Sequence, residues 1–428
     1  MSVRTLAQWL EYIGRQHPDA IALGLDRVRA VHARLGLALN CPVITVAGTN
    51  GKGSTCAMLE AILAASGRKV GLYTSPHLLR YHERVRIGGR EALEAELTDG
   101  FAAVEAARQG EPLTYFEYGT LAALWAFARA DVDMLVLEVG LGGRLDAVNV
   151  VDADCAVITG VDVDHVEYLG ATREQIGREK AGIFRRARPA VVADPDPPAS
   201  VLAAAAQCGA HLLRIGREFD FRTLPGQWDF RGPRGARASL AYPALRGARQ
   251  VRNAAAALAA LDALYPRIAV TMQDVRRGLA QAVVPGRFQV LPGRPQVILD
   301  VAHNPEAARV LADNLGASGF AAQTIAVFGI LKDKDIAGVA RAVAPRVTAW
   351  EVASLAGARG ASAAHVAQAM AQAGVAGPVA RHASVAEAFA AARARAGDDD
   401  KIVVFGSFLT VADVMQCLAA PAGAAAHG

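Results

Sequence analysis

Val43 to Ala47 is a short β-branched run that passes into Gly48-Thr49-Asn50-Gly51-Lys52-Gly53-Ser54, and from Thr55 to Ala65 apolar residues recur at helical spacing. Strand, glycine-rich loop and helix in that order leave few folds open. The glycines let the backbone bend so that several N–H groups face one point, and the helix adds its positive end there. Such a cradle suits phosphate. Lys52 supplies a point charge for the outer phosphates and Ser54 a hydroxyl for Mg²⁺. The match to GxxxxGK[ST] is imperfect, because Val46 stands at the first glycine's place and Gly53 separates Lys52 from Ser54. A plain glycine-rich turn is the competing reading.

The rest of the chain alternates in the same way. Lys69 to Tyr73, Met134 to Val139 and Ala156 to Thr159 read as strands, and Leu121 to Ala130 as a buried helix. Polar residues gather just past the strands, as in an α/β protein with a parallel sheet and its site at the strands' C-terminal edge. Glu218 to Leu245 is rich in Gly, Pro, Arg and aromatics without helical period, and reads as a small antiparallel insertion. Helices resume at Asn253 to Leu264 and Met272 to Ala282. After Pro285-Gly286-Arg287 the alternation restarts, with strands at Val297 to Asp300, Thr324 to Phe328, Val347 to Val352 and Lys401 to Phe405. Two domains are expected: residues 1–286 as a P-loop ATPase-like domain, and residues 287–428 as a smaller Rossmann-like α/β domain. The Ala-rich stretch from Ala419 to Gly428 reads as a frayed end.

Composition excludes several classes. No run approaches the roughly 20 apolar residues that span a bilayer, and the first 18 residues have no apolar signal core. A cytoplasmic protein is expected. The formal charge of +4 comes without a lysine-rich block, so nucleic acid is not an expected partner. The five cysteines form no CxxC pair and no zinc spacing, and read as buried thiols in a reducing compartment.

Several polar residues stand where chemistry would be. Glu138 ends an apolar strand, and is either a hard oxygen ligand for Mg²⁺ near the loop or an exposed strand-end charge. His165, in Asp162-Val163-Asp164-His165, is not of a type that Mg²⁺ prefers, and a lone histidine more often serves a structural hydrogen bond. Ser75 alone is an ordinary turn serine. Lys180 sits in Arg178-Glu179-Lys180-Ala181-Gly182, which alone reads as a solvated helix turn. Asp300, His303 and Asn304 follow the first strand of the second domain, and Arg287 lies on the connecting segment.

Together these phrases resemble the Mur ligase superfamily and, within it, the folylpolyglutamate synthase/dihydrofolate synthase family. The resemblance is carried by Val46 to Ser54, Ser75-Pro76-His77-Leu78, Tyr115 to Thr120, Glu138 to Asp146, Asp164-His165, Arg178 to Ile183, Pro285 to Phe288, Asp300 to Pro305 and Gly406-Ser407-Phe408. They run in family order from about Leu23 to Val411. The loop alone would indicate only the superfamily, whereas Glu138 to Asp146 with Asp300 to Pro305 is specific to the folate branch. The chain departs at Ala22, Arg252 and Leu409, where relatives often have Asp, Pro and His.

The resemblance implies ATP on the loop residues Gly48, Thr49, Asn50, Gly51, Lys52, Gly53 and Ser54. It implies Mg²⁺, as two ions, held by Ser54, Ser75, Glu138 and His165, and a Lys180 carried as an N6-carboxylate beside the metal. Asn253, Arg287 and Asp300 match nucleotide-contacting positions, and Leu23, Thr114, Phe116 and Asp146 match the pteroate pocket, with His303 counted among the substrate-binding residues. The implied chemistry joins L-glutamate to dihydropteroate or a reduced folate through an acyl phosphate, in a monomer, with Lys52, Glu138, His165 and Lys180 as the catalytic group. Leu23-Gly24-Leu25 favours the bifunctional form. The alternatives are folylpolyglutamate synthase alone, a cell-wall Mur ligase, or a P-loop nucleotide-binding regulator.

Overall fold

The computed structural model describes residues 4–19 and 21–419. The chain divides into two compact units, Met1–Ala244 with Gln250–Val283, and Leu245–Arg249 with Val284–Gly428. The alanine-rich end expected from Ala419 lies, beyond Ala419 itself, outside the described residues.

In the first unit one sheet contains β1 (Val43–Ala47), β2 (Val70–Tyr73), β3 (Val85–Ile87), β4 (Arg90–Glu91), β5 (Met134–Glu138), β6 (Cys155–Ile158), β7 (Pro189–Val192) and β8 (His211–Arg214). Their order is β4-β3-β2-β5-β1-β6-β7-β8. From β2 to β8 neighbours run parallel, as the alternating sequence requires. The edge differs from that expectation: β3 and β4 are antiparallel. They turn on Gly88-Gly89, a dipeptide that allows a two-residue hairpin. Strands β1 and β5 are buried along their whole length, so they read as unbroken apolar runs.

Helices cover the sheet: α1 (Leu6–Ile13), α2 (Asp26–Leu35), α3 (Lys52–Ala65), α4 (Glu94–Arg108), α5 (Tyr115–Ala130), α6 (Val166–Leu169), α7 (Arg173–Ala181) and α8 (Ala199–Cys208). Phe101 of α4, Tyr118 and Phe127 of α5 and Trp9 of α1 join Tyr73 and Tyr81 in one aromatic-rich core. Next come three antiparallel strands, β9 (Asp220–Leu224), β10 (Gln227–Gly232) and β11 (Gly235–Ala241), the small insertion expected from composition. Helices α9 (Ala248–Ala263) and α10 (Met272–Gln281) follow.

The second unit holds β12 (Gln289–Leu291), β13 (Gln296–Leu299), β14 (Thr324–Phe328), β15 (Ala349–Ala353), β16 (Val379–His382) and β17 (Lys401–Phe405), ordered β12-β13-β17-β14-β15-β16. Only the edge strand β12 is antiparallel to its neighbour. Helices α11 (Pro305–Ala317), α12 (Ile336–Val343), α13 (Ala363–Gln372), α14 (Val385–Arg395) and α15 (Phe408–Ala419) alternate with these strands. Phe328 and Phe405 stack in its core, and Trp350 meets Phe328 edge to face.

Candidate active site

Strand β1 delivers the glycine-rich loop to the sheet's C-terminal edge. Gly48 has φ +151°, and a Cβ there would fall 1.9 Å from Thr159 Oγ1. Thr159, just past β6, donates that hydroxyl to the Asn50 carbonyl at 2.7 Å. The Gly160 carbonyl accepts from Thr49 N–H at 2.9 Å. Thr49 Oγ1 donates to the Asp162 carbonyl and accepts from Asp162 N–H, both at 2.9 Å. The loop is thus clamped from the neighbouring strand.

Gly51 starts α3 with φ +91° and no side-chain cap, so the first N–H groups of that helix keep their donors for another partner. A Cβ at Gly51 would lie 2.7 Å from Asn253 Oδ1, which puts Asn253 of α9 against the loop. Lys52 Nζ donates to the Gly48 carbonyl at 2.9 Å and the Thr49 carbonyl at 3.2 Å. An ammonium has three N–H donors, so one is left to meet an anion above the loop.

Glu138 is 4% exposed, which rules out a solvated strand-end charge. Its carboxylate faces the loop: a Cβ built on Gly53 would lie 3.6 Å from Oε2, and the Ser75 N–H points at that oxygen from 3.4 Å. Ser54 is buried on the first turn of α3. The structure therefore brings Gly53, Ser75 and Glu138 together. His165 opens α6 in the left-handed region, φ 51°, with Nε2 3.8 Å from Asp164 Oδ2. Among the described residues no three His, Cys, Asp or Glu side chains gather around one point. The donors still fit Mg²⁺, which is usually held by one or two carboxylates together with waters and substrate phosphates.

Lys180 of α7 is 4% exposed, so it is not part of a solvated turn. Burial, and then the charge of Lys52, lower its amine to about 7 against the pull of Asp164 and Asp146. Asp146 is buried too. Burial raises its carboxyl to about 7, although Leu141, Val148 and Gly140 N–H groups and the charge of Lys52 oppose the rise. Lys180 thus lies within electrostatic reach of Lys52, Asp164 and Asp146, and Asp146 within reach of Lys52.

Of the residues matched to a pteroate pocket, Phe116 and Asp146 meet the segment that follows β5. The Phe116 ring lies over the backbone of Gly140, where a Cβ would come within 2.6 Å of it, and its centroid is 5.8 Å from that of Tyr73. Asp146 accepts from Leu141 N–H at 2.8 Å and Val148 N–H at 3.1 Å. Thr114 is the N-cap of α5, in a capping box with Glu117. Glu117 also binds Arg27 at 2.8 Å, and Arg27 donates to the Ala22 carbonyl at 2.9 Å, next to half-buried Leu23.

In the second unit, Asp300 follows β13 and accepts from Phe288 N–H and Ala302 N–H, each at 2.8 Å. Burial raises its carboxyl, while Arg287 and those N–H groups hold it down. Arg287 lies over the Phe408 ring at 5.4 Å, and the His303 ring centre is 6.1 Å from that of Phe408. Phe408 thus gathers Arg287 and His303, and Asn304 caps α11 beside them.

Sequence reasoning passed over Thr159, Arg27, Glu117 and Phe408 as site residues. For Thr159 a signal was present, a hydroxyl at the end of an apolar run read as a strand, although nothing local sets that strand beside the loop. For Arg27 there was none, since its partners lie 5 and 90 residues away.

The comparisons with known proteins bear on this geometry. The family model described as Mur ligase middle domain matches residues 46–261, and that described as Mur ligase, glutamate ligase domain, matches residues 286–408. The dihydrofolate synthase/folylpolyglutamate synthase of Escherichia coli K12 is 47% identical over 414 residues, 96% of this chain and 95% of that protein. The solved structure of E. coli FolC in complex with DHPP and ADP superposes with a TM-score of 0.92 at 47% identity, over 97% of this chain and 98% of that one. A bifunctional folylpolyglutamate synthase/dihydrofolate synthase with Mn, AMPPNP and L-glutamate bound has a TM-score of 0.90 at 46% identity, covering 97% and 98% of the two chains. On likeness of this extent in sequence and fold, the chain belongs to the dihydrofolate synthase/folylpolyglutamate synthase family of the Mur ligases.

Proposed function

We propose that this protein ligates L-glutamate to dihydropteroate, forming dihydrofolate, and adds further glutamates to reduced folates, using ATP and Mg²⁺ in the cytoplasm. The observation that supports it most is the clamped, uncapped loop with the buried carboxylate of Glu138 beside Gly53. A carboxylate is a poor electrophile, because amide formation would have to expel oxide. Transfer of the γ-phosphoryl group to the acceptor's carboxylate gives an acyl phosphate; the glutamate amine then attacks that carbonyl, and phosphate leaves as the C–N bond forms. Positioning and charge neutralisation make up most of such a transfer.

On this reading Lys52 and the first N–H groups of α3 hold the nucleotide's phosphates, and Asn253 keeps the loop in shape from α9. Arg287 and Asp300 contact the nucleotide, and His303 the substrate. Leu23, Thr114, Phe116 and Asp146 line the pterin side. Ser54, Ser75 and Glu138, with His165, hold two Mg²⁺ ions, which when bound neutralise charge on the transferred phosphoryl group.

A lysine amine near pH 7 is largely free base under mildly alkaline conditions. It can take up CO₂, forming an N–C bond and releasing a proton, and the resulting N6-carboxylate would give the cation region an anion where Lys180 now stands. Replacing Lys180 by Met should lower turnover about 100-fold, the scale of a lost ligand-orienting group. It should not lower the melting temperature at pH 7, because a buried, desolvated amine is removed. A melting point several degrees lower, with turnover intact, would mean that Lys180 is structural.

The reading itself is tested by product analysis. Purified protein, ATP, Mg²⁺ and L-glutamate should yield dihydrofolate from dihydropteroate and a lengthened γ-glutamyl tail from tetrahydrofolate. Product from tetrahydrofolate alone would leave a folylpolyglutamate synthase. ADP release indifferent to either acceptor would leave a nucleotide-binding regulator.

A further inference from the structure

Arg84 ends the short turn Tyr81–Arg84 before β3, and its carbonyl accepts from Thr74 N–H at 2.9 Å, one residue ahead of Ser75. Its side chain is half-buried. Nε donates to His77 Nδ1 at 2.7 Å. The guanidinium lies 5.5 Å from the ring centres of both Tyr81 and Tyr115. Those rings meet edge to face, and Tyr73 and Phe116 pair in the same core. Among the described residues the two terminal nitrogens make no hydrogen bond, and no carboxylate comes within ion-pair distance. The adjacent Glu83 is engaged elsewhere, accepting from the Leu78, Leu79 and Arg80 N–H groups at 2.7 Å each.

Three other half-buried arginines of this unit have carboxylate partners. Arg27 meets Glu117, Arg86 meets Glu60 and Arg108 meets Glu105, each within 3.0 Å. A desolvated guanidinium without a counter-charge is unfavourable, and a fork of N–H donors matches a carboxylate in shape. His77 keeps the fork aimed. Its Nδ1 accepts from Arg84 Nε, which fixes the plane of the guanidinium.

We propose that Arg84, positioned by His77, binds a carboxylate of a substrate that carries glutamate, next to the acid-activating edge of the sheet. This rests on the ligase reading above. Two carboxylates have that chemistry: one on the incoming L-glutamate, and the α-carboxylate of a folate's terminal glutamate. Dihydropteroate has only the carboxylate that reacts.

The test is steady-state kinetics of the full chain and of Arg84→Met and Arg84→Lys, with dihydropteroate and with tetrahydrofolate as acceptor, beside thermal melts of each. A lost charge-assisted fork should raise one KM about 30-fold in Arg84→Met, and by less in Arg84→Lys, which keeps the charge, with kcat changed much less. A rise in the KM for glutamate with both acceptors assigns the site to the incoming amino acid. A rise in the KM for tetrahydrofolate alone assigns it to the α-carboxylate. Unchanged KM values in Arg84→Lys, and in Arg84→Met if it folds, overturn the proposal, and so does a loss confined to kcat or to melting temperature. Wild-type protein that turns over neither acceptor defeats the ligase reading and the proposal together; active wild type with indifferent variants defeats the proposal alone.

Discussion

Lys52→Ala should lower kcat about 1,000-fold with either acceptor, the range seen when a cation facing a transferred phosphoryl group is removed. The ammonium is seated over the loop by the Gly48 and Thr49 carbonyls, so its remaining donor is already oriented, and no side-chain reorganisation precedes binding. The loop should survive the change. Its main anchors are Thr159 Oγ1 on the Asn50 carbonyl, Gly160 on Thr49, and the paired bonds between Thr49 and Asp162, none of which uses Lys52. The melting temperature should therefore fall by only about 1–2 °C, the shift of about 1 kcal/mol for a chain of this size. ADP release measured beside a melting curve checks both halves. Near-normal turnover would take the loop out of the mechanism.

Glu138→Gln should have an effect of similar size, about 100- to 1,000-fold in kcat, by a different route. The substitution keeps the shape of a side chain that the Ser75 N–H and Gly53 pack against, and it removes the one negative charge at the end of β5. The need for Mg²⁺ should move to higher concentration, and high Mg²⁺ should recover part of the loss. Because a buried carboxylate is replaced by a neutral amide, the fold should not weaken. A Mg²⁺ titration of ADP release at fixed ATP decides it. A curve superimposable on that of the wild type would mean that Glu138 does not hold the ion.

The parts of the molecule that could be read from sequence are those where local pattern and long-range packing ask for the same residues. Strands β1 and β5 are buried on both faces, so their composition alone marks them, and the glycines of the loop mark the turn between strand and helix. The β3–β4 ribbon spans three and two residues, too short for an alternation to appear, and it turned an expected parallel sheet into a mixed one. Glu138 and Lys180 were ambiguous between solvated and buried charges, because burial depends on elements far along the chain. The loop anchors of Thr159 and the bare guanidinium of Arg84 come from contacts that no spacing rule encodes. In the second unit, Asp300 and His303 were placed by their position after a strand, whereas Phe408, which gathers Arg287 and His303, sits more than 100 residues later.

The two buried ionisable groups at the sheet edge give the protein an unusual acid–base profile. Asp146 is raised from 3.8 to about 7, so the folded state holds that proton more tightly, and the stability it confers drains away as pH climbs from about 4 to 7. Lys180 is lowered from 10.5 to about 7, so its penalty is full below neutrality and is relieved only between about 7 and 10.5. The two penalties coincide near pH 7. A melting series at constant ionic strength should show a trough there, shallower in Lys180→Met. Near pH 7 these two groups weaken the unliganded fold most, and any ligand that gives them ionised partners repays part of that deficit as affinity.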